Sequence, residues 1–188
     1  AWSYGLEMMF RKAFGKLSGW IGYTYSRVFV KTPGVNKGES YRAFQDRPHH
    51  ITLFLSYDTR KRWTFSANWM LLSGAAITTP VAFYDYDGYV VPIYGEKNND
   101  RLPPYHRLDL SVNFRLNRDE LSRYRHSIIL NLYNVYGRTN PYFLSFNRME
   151  DPGGDFVVPA DHSEVPALVP TALSVSEIIP SINYQFRF

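Results

Sequence analysis

The sequence predicts an all-β chain whose strands form an antiparallel meander in the wall of a transmembrane β-barrel. Apolar and polar side chains alternate along seven segments. Most segments are about ten residues long, the length that a tilted strand needs to cross a bilayer. Short and long connections alternate strictly between these segments. No run of about 18 apolar residues occurs, so the sequence contains no candidate transmembrane helix.

The composition argues against several other classes of protein. Of the 188 residues, 20% are charged and 17% are aromatic, which is too apolar a mixture for a disordered chain. There is no cysteine, which excludes disulfides and thiolate metal sites. The mean hydropathy of -0.32 is too low for a helical membrane protein. The net charge of +4 comes from scattered Lys and Arg residues, so no nucleic-acid partner is predicted.

The first four predicted strands each carry apolar side chains at every second position. Alternation with this period gives a strand one apolar and one polar face. The apolar positions are even-numbered in the first strand and odd-numbered in the other three, and Trp20 is an exception on the polar face of the second. These four strands are Trp2–Lys12, Leu17–Val28, His49–Asp58 and Trp63–Ser73.

The fifth predicted strand has the cleanest alternation and runs to Leu116. Its apolar face carries Leu108, Leu110, Val112, Phe114 and Leu116, whereas its polar face, predicted to face the barrel lumen, carries Arg107, Asp109, Ser111, Asn113 and Arg115. The sixth strand, Tyr124–Tyr136, is more mixed in pattern, and the last runs from about Ile178 to Phe188.

The connections favour a membrane barrel over a soluble sandwich. Those predicted to be short are Ala13–Lys16, Thr59–Arg62 and Asn117–Arg123, and those predicted to be long are Phe29–Pro48, Gly74–Pro104 and Gly137–Glu177. Short periplasmic turns and long external loops are typical of outer-membrane barrels, whereas a sandwich has no reason to place every long loop at one end. In this orientation, aromatic side chains on the apolar faces form two girdles. The inner girdle comprises Phe10, Tyr57, Trp63, Phe65, Phe114 and Phe186, and the outer comprises Trp2, Tyr4, Tyr23 and Tyr25.

The last predicted strand ends on an aromatic residue, Phe188. Its apolar face continues through Tyr184 and Phe186 to that residue. The pattern resembles the C-terminal assembly signal of bacterial outer-membrane barrels, and these three residues would carry the signal. The other interpretation is a terminal strand of a soluble sandwich.

Three stretches resemble TonB-dependent receptors, especially those with an N-terminal carboxypeptidase-regulatory-like domain. They are Asp46-Arg47-Pro48-His49-His50, the segment from Arg101 to Ser111 (RLPPYHRLDLS), and the segment from Asn131 to Tyr142 (NLYNVYGRTNPY). The second and third are the more specific, and the order of strands and loops extends the resemblance over nearly the whole chain.

The resemblance implies a 22-stranded outer-membrane barrel with an N-terminal plug, driven by the inner-membrane TonB complex. Residues 1–188 would then be the last seven strands of one barrel domain, without the plug or the TonB-contacting segment. The expected partners are outer-membrane lipid, the remainder of the barrel and plug, the TonB complex and a nutrient solute. An odd number of strands cannot close as an antiparallel barrel, so either the chain is a fragment or other strands complete it.

The polar face of the fifth strand and one histidine-rich segment are candidate sites. Arg107 and Asp109 could contact a plug or solute, but a cross-strand charge ladder is the favoured interpretation. Asp46, His49 and His50 could suggest a metal or acid–base site. A structural role is favoured, because metal sites need convergent ligands and the two histidines are predicted to point to opposite faces. No cofactor, metal or catalytic residue is predicted.

The loop Val81–Asp100 is the best candidate for binding a solute. Tyrosines can stack on a polar solute, and carboxylates can accept its hydrogen bonds. A hairpin that extends the fourth and fifth strands, with a turn at Asp87-Gly88, is an equally favoured interpretation, and the two are compatible. A calcium loop is disfavoured, because further spaced ligands are missing. The candidate residues are Tyr84, Asp85, Tyr86, Asp87, Tyr89 and Tyr94.

These features predict part of a TonB-dependent transporter in the bacterial outer membrane that binds and imports a scarce or large nutrient. One alternative is an outer-membrane enzyme barrel of the lipase or protease type, which would need a convergent catalytic set. Another is a soluble β-domain that binds protein or glycan. The sequence leaves the solute open among an iron chelate, cobalamin, a glycan and a peptide, and it assigns no role to the Gly137–Glu177 loop.

Overall fold

The computed structural model describes residues 1–86, 89–117, 124–147, 169–174 and 177–188, and these residues are all-β apart from one short 3-10 turn, Asn36–Gly38. Within these ranges no helix has the length and apolarity needed to cross a membrane. The strands are β1 (Trp2–Lys12), β2 (Leu17–Val30), β3 (Tyr41–Arg42), β4 (His49–Asp58), β5 (Trp63–Leu72), β6 (Ala76–Ile77), β7 (Pro80–Tyr86), β8 (Tyr89–Tyr94), β9 (Asp100–Arg101), β10 (Tyr105–Arg115), β11 (Arg125–Tyr133), β12 (Pro141–Asn147), β13 (Val169–Ser174) and β14 (Ile179–Arg187).

Seven long strands form one antiparallel meander in the order β1-β2-β4-β5-β10-β11-β14, with the short β3 paired to β2. The seven predicted strands are therefore confirmed, and two of them match to the residue. The predicted sixth strand was too long at its C-terminal end, where β11 stops at Tyr133. Asn134 has a φ of 53°, in the left-handed region that does not continue a strand.

The strand register builds continuous rows of like side chains across the sheet. One row is entirely apolar: Leu17, Tyr57, Phe65, Val112, Leu130 and Ile182. The next row is polar and small: Ser18, Ser56, Ser66, Ser111, Asn131 and Ser181. Two hydrogen bonds of 3.3 Å lie within the polar row, from Ser66 to Ser56 and from Asn131 to Ser181. If the pairing of one strand slipped by a single residue, its apolar side chains would move to the polar face of the sheet. The matching of like side chains in these rows therefore specifies the register.

Among the described residues, the apolar face of the sheet carries many exposed side chains, and the buried side chains lie elsewhere. Large apolar residues on the strands are exposed, for example Phe65, Leu130 and Ile182. Buried apolar residues occur instead where the loops meet the sheet: Ala43, Ala75, Ala76 and Leu102. An apolar face of this kind is what a sheet presents to lipid, whereas a soluble sandwich would cover it.

The described sheet is open, since β1 and β14 each pair with a neighbour on one side only. In the meander, the connections β1–β2, β4–β5 and β10–β11 lie at one end of the sheet, which we call the short end. The connections β2–β4, β5–β10 and β11–β14 lie at the other, the long end. The predicted segregation of short and long connections is confirmed.

Three two-stranded sheets belong to the long connections: β6 with β9, β7 with β8, and β12 with β13. The predicted hairpin in the β5–β10 connection is present, but it does not simply extend β5 and β10. Its strands β7 and β8 form a sheet of their own, separated from the meander by the β6–β9 pair. Ala75, Ala76 and Leu102 are buried at this break, where the N–H of Leu102 donates to the carbonyl of Ala75 (2.9 Å).

Candidate functional site

A buried carboxylate, Asp46, lies at the long end of the sheet. Its side chain is completely inaccessible to solvent. One carboxylate oxygen accepts hydrogen bonds from the backbone N–H of Val28 (2.7 Å) and from Nε of Arg27 (3.2 Å). The other oxygen accepts a hydrogen bond from Nη2 of Arg101, whose Nη1 donates to the carbonyl oxygens of Asp46 and of Gly74 (3.0 Å). We call Asp46, Arg27 and Arg101 the Asp46 clamp.

Between β3 and β4, the backbone around Asp46 loops out of its pairing with β2 and forms a bulge of several residues. Tyr25 pairs with His49 and Phe29 pairs with Arg42, so residues 43–48 lie opposite only residues 26–28. The bulge is held by backbone hydrogen bonds from Ala43 to the carbonyl of Val28 (3.0 Å) and from Ser26 to the carbonyl of Pro48 (3.1 Å). The extra residues fold over β2 and bring Asp46 against the N–H of Val28.

The environment of Asp46 stabilises its charged form. Burial by itself would raise the pKa of Asp46. The hydrogen bonds from the backbone of Val28 and from Arg101 and Arg27 outweigh burial, and the pKa lies below its ordinary value. Asp46 is therefore an anion at neutral pH, and it holds two cations that come from different parts of the chain. Its carboxylate accepts three hydrogen bonds, all from protein groups, which is typical of a structural carboxylate.

The clamp joins two long connections of the sheet, the first long loop (residues 31–48) and the second long loop (residues 73–104). Asn36 and Lys97 exchange two hydrogen bonds: the N–H of Lys97 donates to Oδ1 of Asn36 (2.7 Å), and Nδ2 of Asn36 donates to the Lys97 carbonyl (3.1 Å). Nδ2 of Asn98 donates to the carbonyl of Arg42 (2.6 Å). The two loops are thus in contact at several separate points.

The β7–β8 hairpin rises from the second long loop and carries most of the predicted solute-binding residues. Tyr84, Tyr86 and Tyr94 are exposed, and Tyr84 and Tyr86 share one face of the hairpin. Asp85 pairs with Val90, and Tyr86 pairs with Tyr89, in the backbone register. Asp87 lies outside the described residues, so the proposed turn at Asp87-Gly88 stays a prediction. Exposed phenol rings on one face offer a stacking surface.

A second polar cluster lies on β10, at the long end. Arg107 donates to Asp109 through Nε (3.1 Å) and pairs with the same carboxylate oxygen through Nη2 (2.9 Å). Its Nη1 donates to the hydroxyls of Tyr105 (2.9 Å) and Tyr133 (2.6 Å), and its guanidinium lies 4.0 Å from the centre of the Tyr133 ring. The other oxygen of Asp109 accepts from the N–H of Asn134 (3.0 Å).

The predicted cross-strand charge ladder at Arg107 and Asp109 was therefore wrong in detail. The two charges pair along one strand, and the cross-strand partner is the neutral Tyr133. The reason is geometric: side chains two apart on a strand share a face, and a long arginine can reach back to its own strand. Ser111, Asn113 and Arg115 continue this face toward the short end, where the backbone carbonyl of Arg115 accepts from Nε of Arg62 (2.8 Å).

These features agree with the comparison of the chain with known protein families. A family model described as "TonB dependent receptor-like, beta-barrel" matches residues 1–135, that is, through the end of β11. The chain belongs to this family. Comparisons with curated proteins and with solved structures found no match. The TonB-dependent receptor-like barrels are outer-membrane transporters rather than enzymes, so the resemblance noted from the sequence is confirmed at the level of the barrel.

The aromatic residues of this TonB-dependent receptor-like barrel cluster at both ends of the apolar face. At the long end, Trp2 stacks on Phe29 with ring centres 4.5 Å apart, and Tyr4 lies next to Tyr25. At the short end the contacts include Trp63 with Phe114 (4.4 Å), Tyr124 with Phe186 (6.0 Å) and Phe186 with Phe188 (6.0 Å). Phe188 is 91% exposed, and Tyr184 bonds to His126. Their role as an assembly signal stays a prediction.

The histidines of the barrel do not converge on Asp46. Nδ1 of His49 bonds to the hydroxyl of Tyr23 (2.9 Å), and Nε2 of His50 bonds to the hydroxyl of Thr52 (3.1 Å). Because Tyr23 lies on the apolar face and Thr52 on the polar face, the two imidazoles point to opposite sides. Within the described ranges no group of three or more His, Asp or Glu side chains could hold a metal ion.

Sequence reasoning missed the cationic partners of Asp46. Arg101 is 55 residues away along the chain, and no local pattern links the two. Arg27 did offer a signal, because it occupies a position on β2 where the alternation predicts an apolar residue, next to Phe29 on the same face (4.8 Å). A charge at an apolar position calls for a partner, and Asp46 supplies it.

Trp20, the predicted exception on the polar face, lines a concavity of about 430 Å³ near the short end. It pairs with Phe54 on β4 and lies beside Met9 and Arg11 on β1. Gly22 leaves room for the Trp20 ring, whose nearest atom would lie 3.5 Å from a Cβ at that position. The polar face is therefore not uniformly polar, because Trp20, Phe54 and Met9 form an apolar patch on it beside the guanidinium of Arg11.

Proposed function

We propose that this chain forms part of the wall and external loops of a transporter in the bacterial outer membrane that binds a scarce or large nutrient and imports it with energy from the TonB complex. The family match over residues 1–135 carries the proposal. Supporting it are an uncovered apolar face, suited to outer-membrane lipid, and long loops segregated to one end.

In this proposal the long end is external and the polar face lines the lumen. The row of serines with Asn131, and the Arg107–Asp109 cluster above it, would then face the plug and the solute path. The remainder of the barrel, the plug and the TonB-contacting segment would belong to the longer protein. A carboxypeptidase-regulatory-like domain ahead of the plug is the finer form of the proposal, which rests on the sequence resemblance alone.

The β7–β8 hairpin is the proposed point of solute capture. Tyr84, Tyr86 and Tyr94 are exposed and stand beyond the β6–β9 pair, away from the meander. Tyrosine presents a large, rigid ring with a polar tip, so it can contact a solute at low entropic cost. Asp85, Asp87 and Tyr89 complete the proposed contact set through their positions in the hairpin sequence.

The test is uptake by the native bacterium with the full-length gene deleted or restored. Labelled cobalamin, a ferric siderophore, an oligosaccharide and an oligopeptide would be supplied with and without a proton uncoupler. We expect uncoupler-sensitive uptake of one class to depend on the gene. Replacing all three exposed tyrosines by serine should weaken binding of that solute, whereas phenylalanine at the same positions should retain most of it. The proposal would be contradicted if the uptake of every solute class were the same with and without the gene.

A further inference from the structure

The two long loops are joined to each other by an ion pair and by several hydrogen bonds. They leave the sheet between different strand pairs, β2–β4 and β5–β10, and each could move independently. Ordering a loop costs roughly 1–2 kcal/mol of backbone entropy for each residue fixed, so loops that lack partners tend to be mobile. Here such partners are built in: two places join the loops to each other, and a third lies within the second loop.

The first place is the Asp46 clamp. Asp46 belongs to the first long loop, whereas Arg101 belongs to the second and also holds the carbonyl of Gly74 at the start of that loop. Because Asp46 is completely buried, its removal would leave two guanidinium groups without their anion. One carboxylate thus fixes the base of both loops to β2.

The second place lies farther from the sheet, at residues 36–42 and 97–98. The reciprocal Asn36–Lys97 bonds and the Asn98 bond to the carbonyl of Arg42 join the loops there, and the ammonium of Lys97 lies 5.6 Å from the centre of the Tyr41 ring. Asn36 and Asn98 both have positive φ, 48° and 58°, which asparagine tolerates better than most residues. These local conformations present the amides to the opposite loop.

The third place fixes the root of the β7–β8 hairpin. The N–H of Thr79 donates to Oδ1 of Asn99 (2.8 Å), and Nδ2 of Asn99 donates back to the carbonyl of Thr79 (3.2 Å). The N–H of Asn98 donates to the hydroxyl of Thr78 (3.0 Å). The residues that anchor the hairpin are thus adjacent to, or identical with, those that bind the first long loop.

We propose that the two long loops form one preassembled external unit, in which Asp46 and Arg101 are positioning residues that set the β7–β8 hairpin against residues 31–42. The solute-capture surface is then shared by both loops, a consequence that rests on the proposed function. A capture surface held in place before the solute arrives loses less entropy on binding than two mobile loops would.

The loop unit can be tested without knowing the solute. Spin labels at Glu39→Cys and Val81→Cys, both exposed positions, report the separation of the first loop from the hairpin in the full-length protein in proteoliposomes. This chain contributes no cysteine of its own. Double electron–electron resonance should give one narrow distance distribution for the parent, and a broad one for Asp46→Asn and for Arg101→Gln.

Asp58→Asn is the matched control, since Asp58 lies at the short end. Within the described part of the chain, its carboxylate accepts a hydrogen bond from the N–H of Arg60 in its own turn (2.7 Å) and from no other group. This variant should leave the distribution narrow. Asn36→Ala removes an exposed contact without disturbing the buried clamp and should broaden the distribution partly, which keeps the test decisive if Asp46→Asn fails to assemble. A distribution that is already broad in the parent, or equally narrow in all variants, would overturn the loop unit.

The positioning role has its own readout once a transported solute is known. Asp46→Asn should raise the Kd about tenfold through lost preorganisation. Cross-linking the loops through cysteines at Asn36 and Lys97 in the Asp46→Asn variant should restore the parent affinity. Failure of that rescue, with the cross-link formed, would overturn the positioning role.

A deletion of residues 80–94 distinguishes the loop unit from the capture proposal. If the deletion leaves solute binding intact while the resonance experiment shows one unit, the capture proposal fails and the loop unit stands.

Discussion

At the scale of single residues, the long end depends on a few buried groups rather than on a large apolar core. Asp46 is the clearest case. In the bulge between β2 and β4, its carboxylate accepts hydrogen bonds from two guanidinium groups and from one backbone N–H. Removing one partner of a buried ion pair leaves an uncompensated charge and costs more than the pair contributes. Gly74 is the second case, because it brings the start of the second long loop against the backbone of Leu102.

The pH dependence of the loop contacts follows from the lowered pKa of Asp46. The pKa of Asp46 is lower in the folded state than in the unfolded state, where it is about 3.9. Its charge therefore stabilises the folded state at any pH above that unfolded-state pKa, and the stabilisation is lost as the pH falls through the folded-state pKa. The charged groups that contact it are the guanidinium groups of Arg27 and Arg101. We therefore expect the two loops to remain together from neutral pH to about 4 and to separate only in stronger acid.

The measurement is the same label separation, recorded as the pH is lowered. Asp46→Asn should show a separation that does not change with pH over the acid range, because it has lost the titrating group. Loop separation between pH values of about 5 and 7 in the parent would point to a histidine instead and contradict the role given to Asp46.

Gly74 is predicted to tolerate no side chain. A Cβ at this position would overlap the carbonyl oxygen of Leu102, which is backbone and cannot rotate away. Gly74→Ala should therefore displace the β6–β9 pair at a cost of roughly 1–3 kcal/mol, seen as faster hydrogen exchange of the backbone amides of residues 74–77 and 100–102. Gly22→Ala is the control, since its Cβ would meet only the Trp20 ring at 3.5 Å. Equal exchange in both variants would show that the close approach at Gly74 is relaxed in solution.

At the scale of the elements, each meander strand separates two environments by its alternation. On β10, Leu110 and Val112 stand in apolar rows and Ser111 stands in a polar one. Asp109 pairs with Asn68 on β5, and its row continues to the apolar patch at Phe54 and Trp20. The neighbours in each row come from other strands, so the two faces are a property of the sheet and not of one strand. Which face meets lipid is part of the proposed function, and β10 offers the sharpest test.

Charge on the two faces of β10 should have unequal effects. Leu110→Arg should cost about 2–4 kcal/mol near the bilayer midplane, and Ser111→Arg far less, measured as the fraction of heat-modifiable barrel in the outer membrane. Single cysteines at positions 109–112 of the full-length protein would add a direct readout. A bilayer-partitioned label should favour 110 and 112, and a water-soluble label should favour 109 and 111. Equal labelling of all four by the water-soluble reagent would contradict the assignment.

At the scale of the whole molecule, the described sheet has two free edges, on β1 and on β14. Unpaired backbone groups are prohibitive in the hydrocarbon region, so in a membrane both edges would have to pair with further strands. The family match gives this sheet its context as part of a barrel wall.

We predict that the full-length protein has no hydrolytic activity that depends on this region. Its family is one of transporters, and its Ser, His and Asp residues occur in no nucleophile-elbow context in the sequence. Esterase and protease assays on the purified protein are the measurement. Turnover that disappears on replacing a single residue of this chain, in a correctly assembled barrel, would instead support an enzyme barrel.

The sequence by itself determined the seven wall strands, their two faces and the segregation of short from long connections, because period-two alternation and connection length are local properties of a chain. Strands such as β1 and β4 could be located to the residue in this way. Only the tertiary structure decided which residues of the two long loops contact each other. The partners Asp46 and Arg101, like Asn36 and Lys97, are more than fifty residues apart, and no local pattern specifies which charge or amide a loop residue will meet. These contacts depend on how the sheet register brings the two loops together at its long end.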